Sequence, residues 1–247
     1  MRILLVADIH ANWPALEAVI REPHDLCLCL GDLVDYGLDP APCIAWVRDK
    51  AHVCVRGNHD HGVAQNVHVN GTGKSVLKYL TGVTRTYTRS VLDPDDLRYL
   101  GQLPVSKRLT LMDSRFLLVH ASPRDPLDEY APADVEFWRR RLQPLDVDVV
   151  CVGHTHHPYV LEVDGKLVVN PGSVGQPRDG DPRASYAILE NGRVELKRVE
   201  YPVERTLERI RCSGLSDYDR DLLCEVFRRG QSVAVNGHRP ASVSNVS

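Results

Sequence analysis

The stretch MRILLVADIHAN, Met1 to Asn12, decides the fold. From Arg2 to Ala7 it is dense in Ile, Leu and Val, the composition of a strand covered on both faces. Polar chemistry begins where that strand ends, with Asp8 and His10. Asn12 then offers a helix cap, Pro14 suits the first turn, and Leu16, Val19 and Ile20 share one helical face. The unit recurs downstream. Asp25–Leu30 reads as a second strand, Asp39-Pro40 opens a second helix to about Asp49, and His52–Arg56 reads as a third strand. This βαβαβ opening predicts parallel strands with helices packed over the sheet.

Further along, Gly73–Thr81 and Asp93–Gly101 read as short helices and Ala133–Leu142 as another. Lys107–Met112 and Arg115–Val119 form a hairpin around Asp113-Ser114, and Asp148–Val152 is a buried strand. Asp164-Gly165 and Asn191-Gly192, each between two strand-like runs, are two-residue hairpin turns. The later half is therefore antiparallel or mixed sheet. The fold class expected is α/β, with two sheets packed face to face and helices outside. Two helices follow, Glu204–Cys212 and Asp217–Arg229, with Gly230 as a stop. The Ser- and Asn-bearing stretch 231–247 is expected to be a disordered tail.

With 247 residues, 43% hydrophobic and 26% charged, the chain has the makings of a sizeable core. Its net charge of −3 gives no basic field to attract nucleic acid. No long apolar segment suggests a signal peptide or a membrane span. The seven cysteines are odd in number and mostly embedded in apolar runs, so they read as small hydrophobes in a reducing cytoplasm.

Five short signatures carry the chemistry: Asp8-Ile9-His10, Gly31-Asp32-x-x-Asp35, Gly57-Asn58-His59-Asp60, His120, and Gly153-His154-Thr155-His156. Asp-x-His alone is commonly a structural pair. Here every signature follows a predicted buried strand, and in α/β sheets ligands gather beyond the carboxyl ends of strands. Asp8, Asp32, Asn58 and the imidazoles of His10, His120, His154 and His156 exceed the needs of one ion. They suit a pair of ions sharing a carboxylate. Mixed nitrogen and oxygen donors without thiolate fit Mn, Fe, Co, Ni or Zn.

Taken together, VADIHAN (6–12), GDLVDYG (31–37), RGNHD (56–60), LVHASP (118–123) and VGHTHHP (152–158) resemble the calcineurin-like metallophosphoesterases. The segment from Asn170 to Leu189 resembles the small bacterial and archaeal branch. The resemblance covers residues 1–200 and leaves 201–230 as a helical extension. It implies a four-layer sandwich of two mixed sheets flanked by helices. It also implies one metal on Asp8, His10, Asp32 and His156 and a second on Asp32, Asn58, His120 and His154, with Mn²⁺ as the activating ion. A hydroxide shared by the two ions is the nucleophile implied, attacking in line. His59 resembles the general acid, and Asp35 would hold its ring. The partner implied is a small phosphorylated ester; the helices over 204–229 can pack on the core or on a second copy of the chain.

Two departures bear on substrate. Phosphoprotein phosphatases and dinucleoside polyphosphate hydrolases of this superfamily carry an arginine where Tyr36 stands, and often a glutamate where Asp60 stands. Both departures speak against those activities, and the first removes a phosphate-clamping arginine, which favours diesters. Arg56 and Arg178 are the cations nearest the signatures. Arg178 is a candidate contact for substrate phosphate, to be weighed against an ordinary surface arginine. A non-catalytic scaffold is the remaining alternative, but no expected ligand is missing.

Overall fold

The structure, a computed structural model, describes residues 1–69 and 75–231. The expected disordered tail falls almost wholly outside those residues. The first sheet is built on β1 (Arg2–Val6), flanked by β2 (Leu26–Cys29) and then β3 (Val53–Cys54), all parallel. The second sheet holds β4 (Ser106–Leu111), β5 (Ser114–Val119), β6 (Val149–Cys151), β7 (Tyr159–Val163) and β8 (Lys166–Asn170), in the order β4-β5-β6-β8-β7. β9 (Ala184–Glu190) and β10 (Arg193–Val199) return to the first sheet, giving β10-β9-β1-β2-β3. β9 runs antiparallel to β1, while β6 runs parallel to both β5 and β8, so both sheets are mixed.

Three apolar layers follow from strand alternation. Ile3, Leu5, Leu28 and Leu30 on one sheet meet Phe116, Leu118, Cys151 and Val169 on the other. The opposite face of the first sheet, with Leu4, Val6, Cys27 and Cys29, packs on α1 (Trp13–Val19) and α2 (Pro40–Lys50). The outer face of the second sheet packs on α6 (Val135–Leu142) through the fully buried Trp138. The order is helix, sheet, sheet, helix, as expected.

The differences from expectation are local. The helix expected over 73–81 is α4 (Val76–Val91), capped by Ser75 and ending ten residues further on. Its polar Thr and Arg positions hid the pattern, because Thr81, Thr84, Arg85 and Thr88 face inward. α5 (Pro94–Gln102) matches its Asp93 cap and Pro94 start. The third signature opens a short helix, α3 (Asn58–Ala64), where no element was expected. The first hairpin turns at Met112 and Asp113, both in the left-handed region, one residue earlier than read, because Leu111 pairs with Ser114. α7 (Val203–Arg211) and α8 (Asp217–Arg229) do not stand apart from the core. Leu207, Ile210, Leu223 and Phe227 pack with Leu80 of α4 and with Tyr36 and Leu38.

Candidate metal centre

The centre lies where β1, β2, β3, β5 and β6 end, at one rim of the seam between the sheets. Asp8 and His10 follow β1, Asp32 and Asp35 follow β2, Asn58 and His59 open α3 after β3, His120 follows β5, and His154 and His156 follow β6. Every one of these side chains except Asn58 and His154, which are partly exposed, is buried. Their loops are tightly wound. Asp8, His10, Asp32, Asp35, His154 and His156 have φ between 47° and 66°, a region that non-glycine residues enter at a cost of about 1–3 kcal/mol each. Main-chain bonds hold those turns: His10 and Ala11 donate to the carbonyls of Asp32 and Leu33, and Asp8 donates to that of Gly31. Gly57 is required for a different reason. A Cβ there would stand 2.0 Å from Oδ1 of Asp32.

The imidazoles are fixed from behind. Nδ1 of His10 donates to the carbonyl of Val34 at 2.9 Å, that of His120 to Leu30 at 2.7 Å, and that of His156 to Gln176 at 2.5 Å. A ring whose Nδ1 carries the hydrogen presents a bare lone pair at Nε2. Yet Nε2 of His10 lies 3.1 Å from Nε2 of His156, and Nε2 of His120 lies 3.1 Å from Oδ1 of Asn58 and 3.2 Å from Nδ1 of His154. The lone pairs of His10 and His156, held face to face, repel unless a cation stands between them, whereas Nε2 of His120, protonated in the metal-free protein, is a donor that gives up its hydrogen to ligate. Oδ1 of Asp8, fully buried, has no hydrogen-bond partner and sits 3.3 Å from Nε2 of His156. Oδ2 of Asp32 lies 3.3 Å from Nε2 of His120 and 3.7 Å from Nε2 of His10. One carboxylate therefore reaches both groups of donors. The donor set fits divalent metal on an observation internal to the site: facing acceptors and an orphaned carboxylate oxygen.

The electrostatics agree. Burial drives His10 and His156 well below the ordinary imidazole range and His154 down to about 3, so these rings are neutral and ready to ligate. Burial pushes Asp8 up to about 7. Burial works against ionisation of Asp32 too, but the imidazoles of His120 and His59 outweigh it and hold that carboxyl well below its usual range. His120 answers in kind: burial opposes its charge, the facing Asp32 prevails, and the ring is raised to about 10.

His59 stands apart in its bonding. Its main-chain N–H donates to Oδ1 of Asp32, and its Nδ1 donates to Oδ2 of Asp35 at 2.8 Å. That leaves Nε2 toward the centre, 3.9 Å from Oδ2 of Asp32. His59 also lies close enough to His10 and Asp32 to join them as a donor group. Its bond to Asp35 orients it without spending Nε2.

The tertiary roles of three residues were not legible in the sequence, although Asp60 and Asn12 stood in its signatures. Arg85, from α4, donates through Nε (3.1 Å) and Nη2 (2.6 Å) to the same Asp35 oxygen. Asp60 accepts from the main-chain N–H groups of Asp32, Leu33 and Gly57, so it clamps the β2 and β3 loops together. Asn12 caps α1 as expected, and its Nδ2 also donates to the carbonyl of Gly175. No local pattern signals partners 27 to 163 residues away. Arg56 turns from the centre and donates to the carbonyl of Gly101. His157 is exposed and bonds only within its own turn. A cleft of about 380 Å³ opens over Asp32, Asn58, His59, His154 and His156, with His61, Asp128 and Arg178 on its walls.

This geometry accords with comparison to known proteins. Residues 1–193 match the calcineurin-like phosphoesterase superfamily domain, and the chain belongs to that superfamily of metal-dependent phosphoesterases. A metallophosphoesterase from Sphaerobacter thermophilus is similar in crystal structure, with a TM-score of 0.75 and 35% identity over 93% of this chain and 99% of that one. Uncharacterized protein MJ0912 of Methanocaldococcus jannaschii is 32% identical over 238 residues, 84% of this chain and 91% of its own. Phosphodiesterase YfcE of Escherichia coli (strain K12) is 27% identical over 209 residues, 77% of this chain and 88% of its own.

Proposed function

We propose that the protein hydrolyses phosphate esters, diesters and monoesters, at a centre of two divalent ions. Asp8, His10, Asp32 and His156 would hold one ion, and Asp32, Asn58, His120 and His154 the other, with Mn²⁺ as the activating metal and Fe, Ni, Co or Zn meeting the same donors. Bound ions would supply positive charge to the phosphate oxygens and make the attacking water more acidic. The chain's own groups do the rest. Asp35 fixes the His59 ring through Nδ1, which leaves Nε2 at the cleft floor. In its protonated form that Nε2–H is the donor to the departing alkoxide oxygen, opposite the attacking water in an in-line displacement. The leaving oxygen thus departs as an alcohol rather than as a strong base.

One observation carries this reading: the Nε2 atoms of His10 and His156, both bare and 3.1 Å apart. That arrangement supports bound metal, and the cleft with His59 at its edge supports catalysis over a bare metal-binding scaffold. Among the described residues no helix is long and apolar enough to cross a membrane. A reducing, cytoplasmic setting suits the free cysteines, six buried and Cys212 exposed. The test is hydrolysis of bis-p-nitrophenyl phosphate and p-nitrophenyl phosphate by chelated protein reloaded with Mn²⁺ and, separately, with the other ions. Metal-dependent turnover is expected. Protein that takes up no transition metal, or loaded protein that cleaves neither ester, would refute it.

A further inference from the structure

The sequence places Tyr36 where related phosphatases carry an arginine, and on that ground favours diesters. The structure puts a guanidinium over that tyrosine. Arg178 reaches the cleft from the loop between β8 and β9, with its Cζ 5.8 Å from the centroid of the Tyr36 ring. Its Nε and Nη2 both donate to Oε1 of Gln176, at 3.3 and 3.0 Å. Gln176 is itself buried, and its main-chain carbonyl is the acceptor that fixes His156. The guanidinium is thus registered to the metal centre through one residue.

What Arg178 lacks is an anion. Among the described residues it pairs with no carboxylate, although Asp128 lines the same cleft. The other arginine on the cleft, Arg85, is committed to Asp35. An arginine held against a ring face by a neutral amide, with its remaining N–H groups unclaimed, is prepared for an oxyanion. His154, His156 and Asp32 line the same cleft as Arg178, so an anion bound there faces both the guanidinium and the metal donors.

We propose that Arg178 replaces, from a different segment, the arginine that Tyr36 displaces, and that it binds the second negative charge of a phosphomonoester. This rests on the phosphoesterase reading above and narrows its substrate class. A diester monoanion spends its single charge on the metals and gains little from a further cation. A monoester dianion has a charge left for Arg178.

The experiment uses full-length, Mn²⁺-loaded wild type, Arg178→Gln and Arg178→Lys, with metal content and circular dichroism measured for each. Inorganic phosphate is titrated calorimetrically, and kcat and KM are measured for p-nitrophenyl phosphate and bis-p-nitrophenyl phosphate. For Arg178→Gln we expect phosphate affinity and monoester kcat/KM to fall about 10- to 100-fold, mostly in KM, as for loss of a charge-assisted hydrogen bond. Diester kcat/KM should fall several times less. Arg178→Lys should recover part of the loss, since it keeps the charge but not the fork. Unchanged phosphate affinity, or equal losses on the two esters, overturns the assignment of Arg178. Absence of turnover on both esters in the wild type refutes the phosphoesterase reading instead. In that event the phosphate titration still decides on Arg178.

Discussion

At the scale of single residues, the centre is a relay of fixed orientations: Arg85 holds Asp35, and Asp35 holds His59. His59→Asn should retain bound metal and lose about 100- to 10,000-fold in kcat on an alkyl phosphate, the usual span for general acid catalysis. It should lose far less on a nitrophenyl ester, whose leaving group needs no proton. Equal losses on the two would refute the acid role. A second prediction concerns pH. In the metal-free protein His120 is raised to about 10 and Asp8 to about 7. Below those values each group holds a proton that a metal must displace. Apparent Mn²⁺ affinity, read by titration at fixed ionic strength, should therefore rise with pH, about tenfold per unit near pH 8 and more steeply below 7. Affinity flat from pH 6 to 8 would contradict the sign. The candidate ligands were readable because each follows a buried strand. Arg85, Asp60 and the aim of Arg178 were not, because each acts across the fold.

Elements show the same division. Strands and capped helices announced themselves: Asp93-Pro94 starts α5, and Asp164-Gly165 and Asn191-Gly192 each have both residues at positive φ. α4 and α3 did not, because their inward faces are polar and serve the site. Gly62 makes the point. A Cβ at this α3 position would lie 2.3 Å from Nη1 of Arg85, so the guanidinium can lie against α3 as it does only because residue 62 has no side chain. Gly62→Ala should therefore displace Arg85 and lower turnover on alkyl esters more than on nitrophenyl esters, with metal content kept. Beside the cleft, Glu129 ties the loop before α6 to that helix through Arg141 and also accepts from Ser122. The bond from Arg141 outweighs the opposing effect of partial burial and, helped by Ser122, holds Glu129 down to about 2, against an ordinary 4.5. A lowered carboxyl stabilises the fold fully above its unfolded value and ceases to as pH falls through the folded one. Glu129→Gln should cost about 1–3 kcal/mol at pH 7 by urea denaturation, with the gap to wild type closing towards pH 2. A gap that widens in acid would show the sign to be wrong.

For the molecule as a whole, the seam between the sheets gathers buried carboxylates and imidazoles that suit a cation. Chelation should lower the melting temperature. A metal present at about a hundred times its dissociation constant contributes about 2.7 kcal/mol, and calorimetry with and without chelator reads the difference. The layered fold was legible because buried strands and amphipathic helices repeat at their own periods, whereas the docking of α7 and α8 was not. Those helices cover Tyr36 and Leu38, next to the centre, with Phe227 buried between. Gln176 has a wider consequence. Its main chain steadies His156 and its side chain steadies Arg178. A shift of that loop would therefore move the proposed anion contact and a candidate metal ligand together.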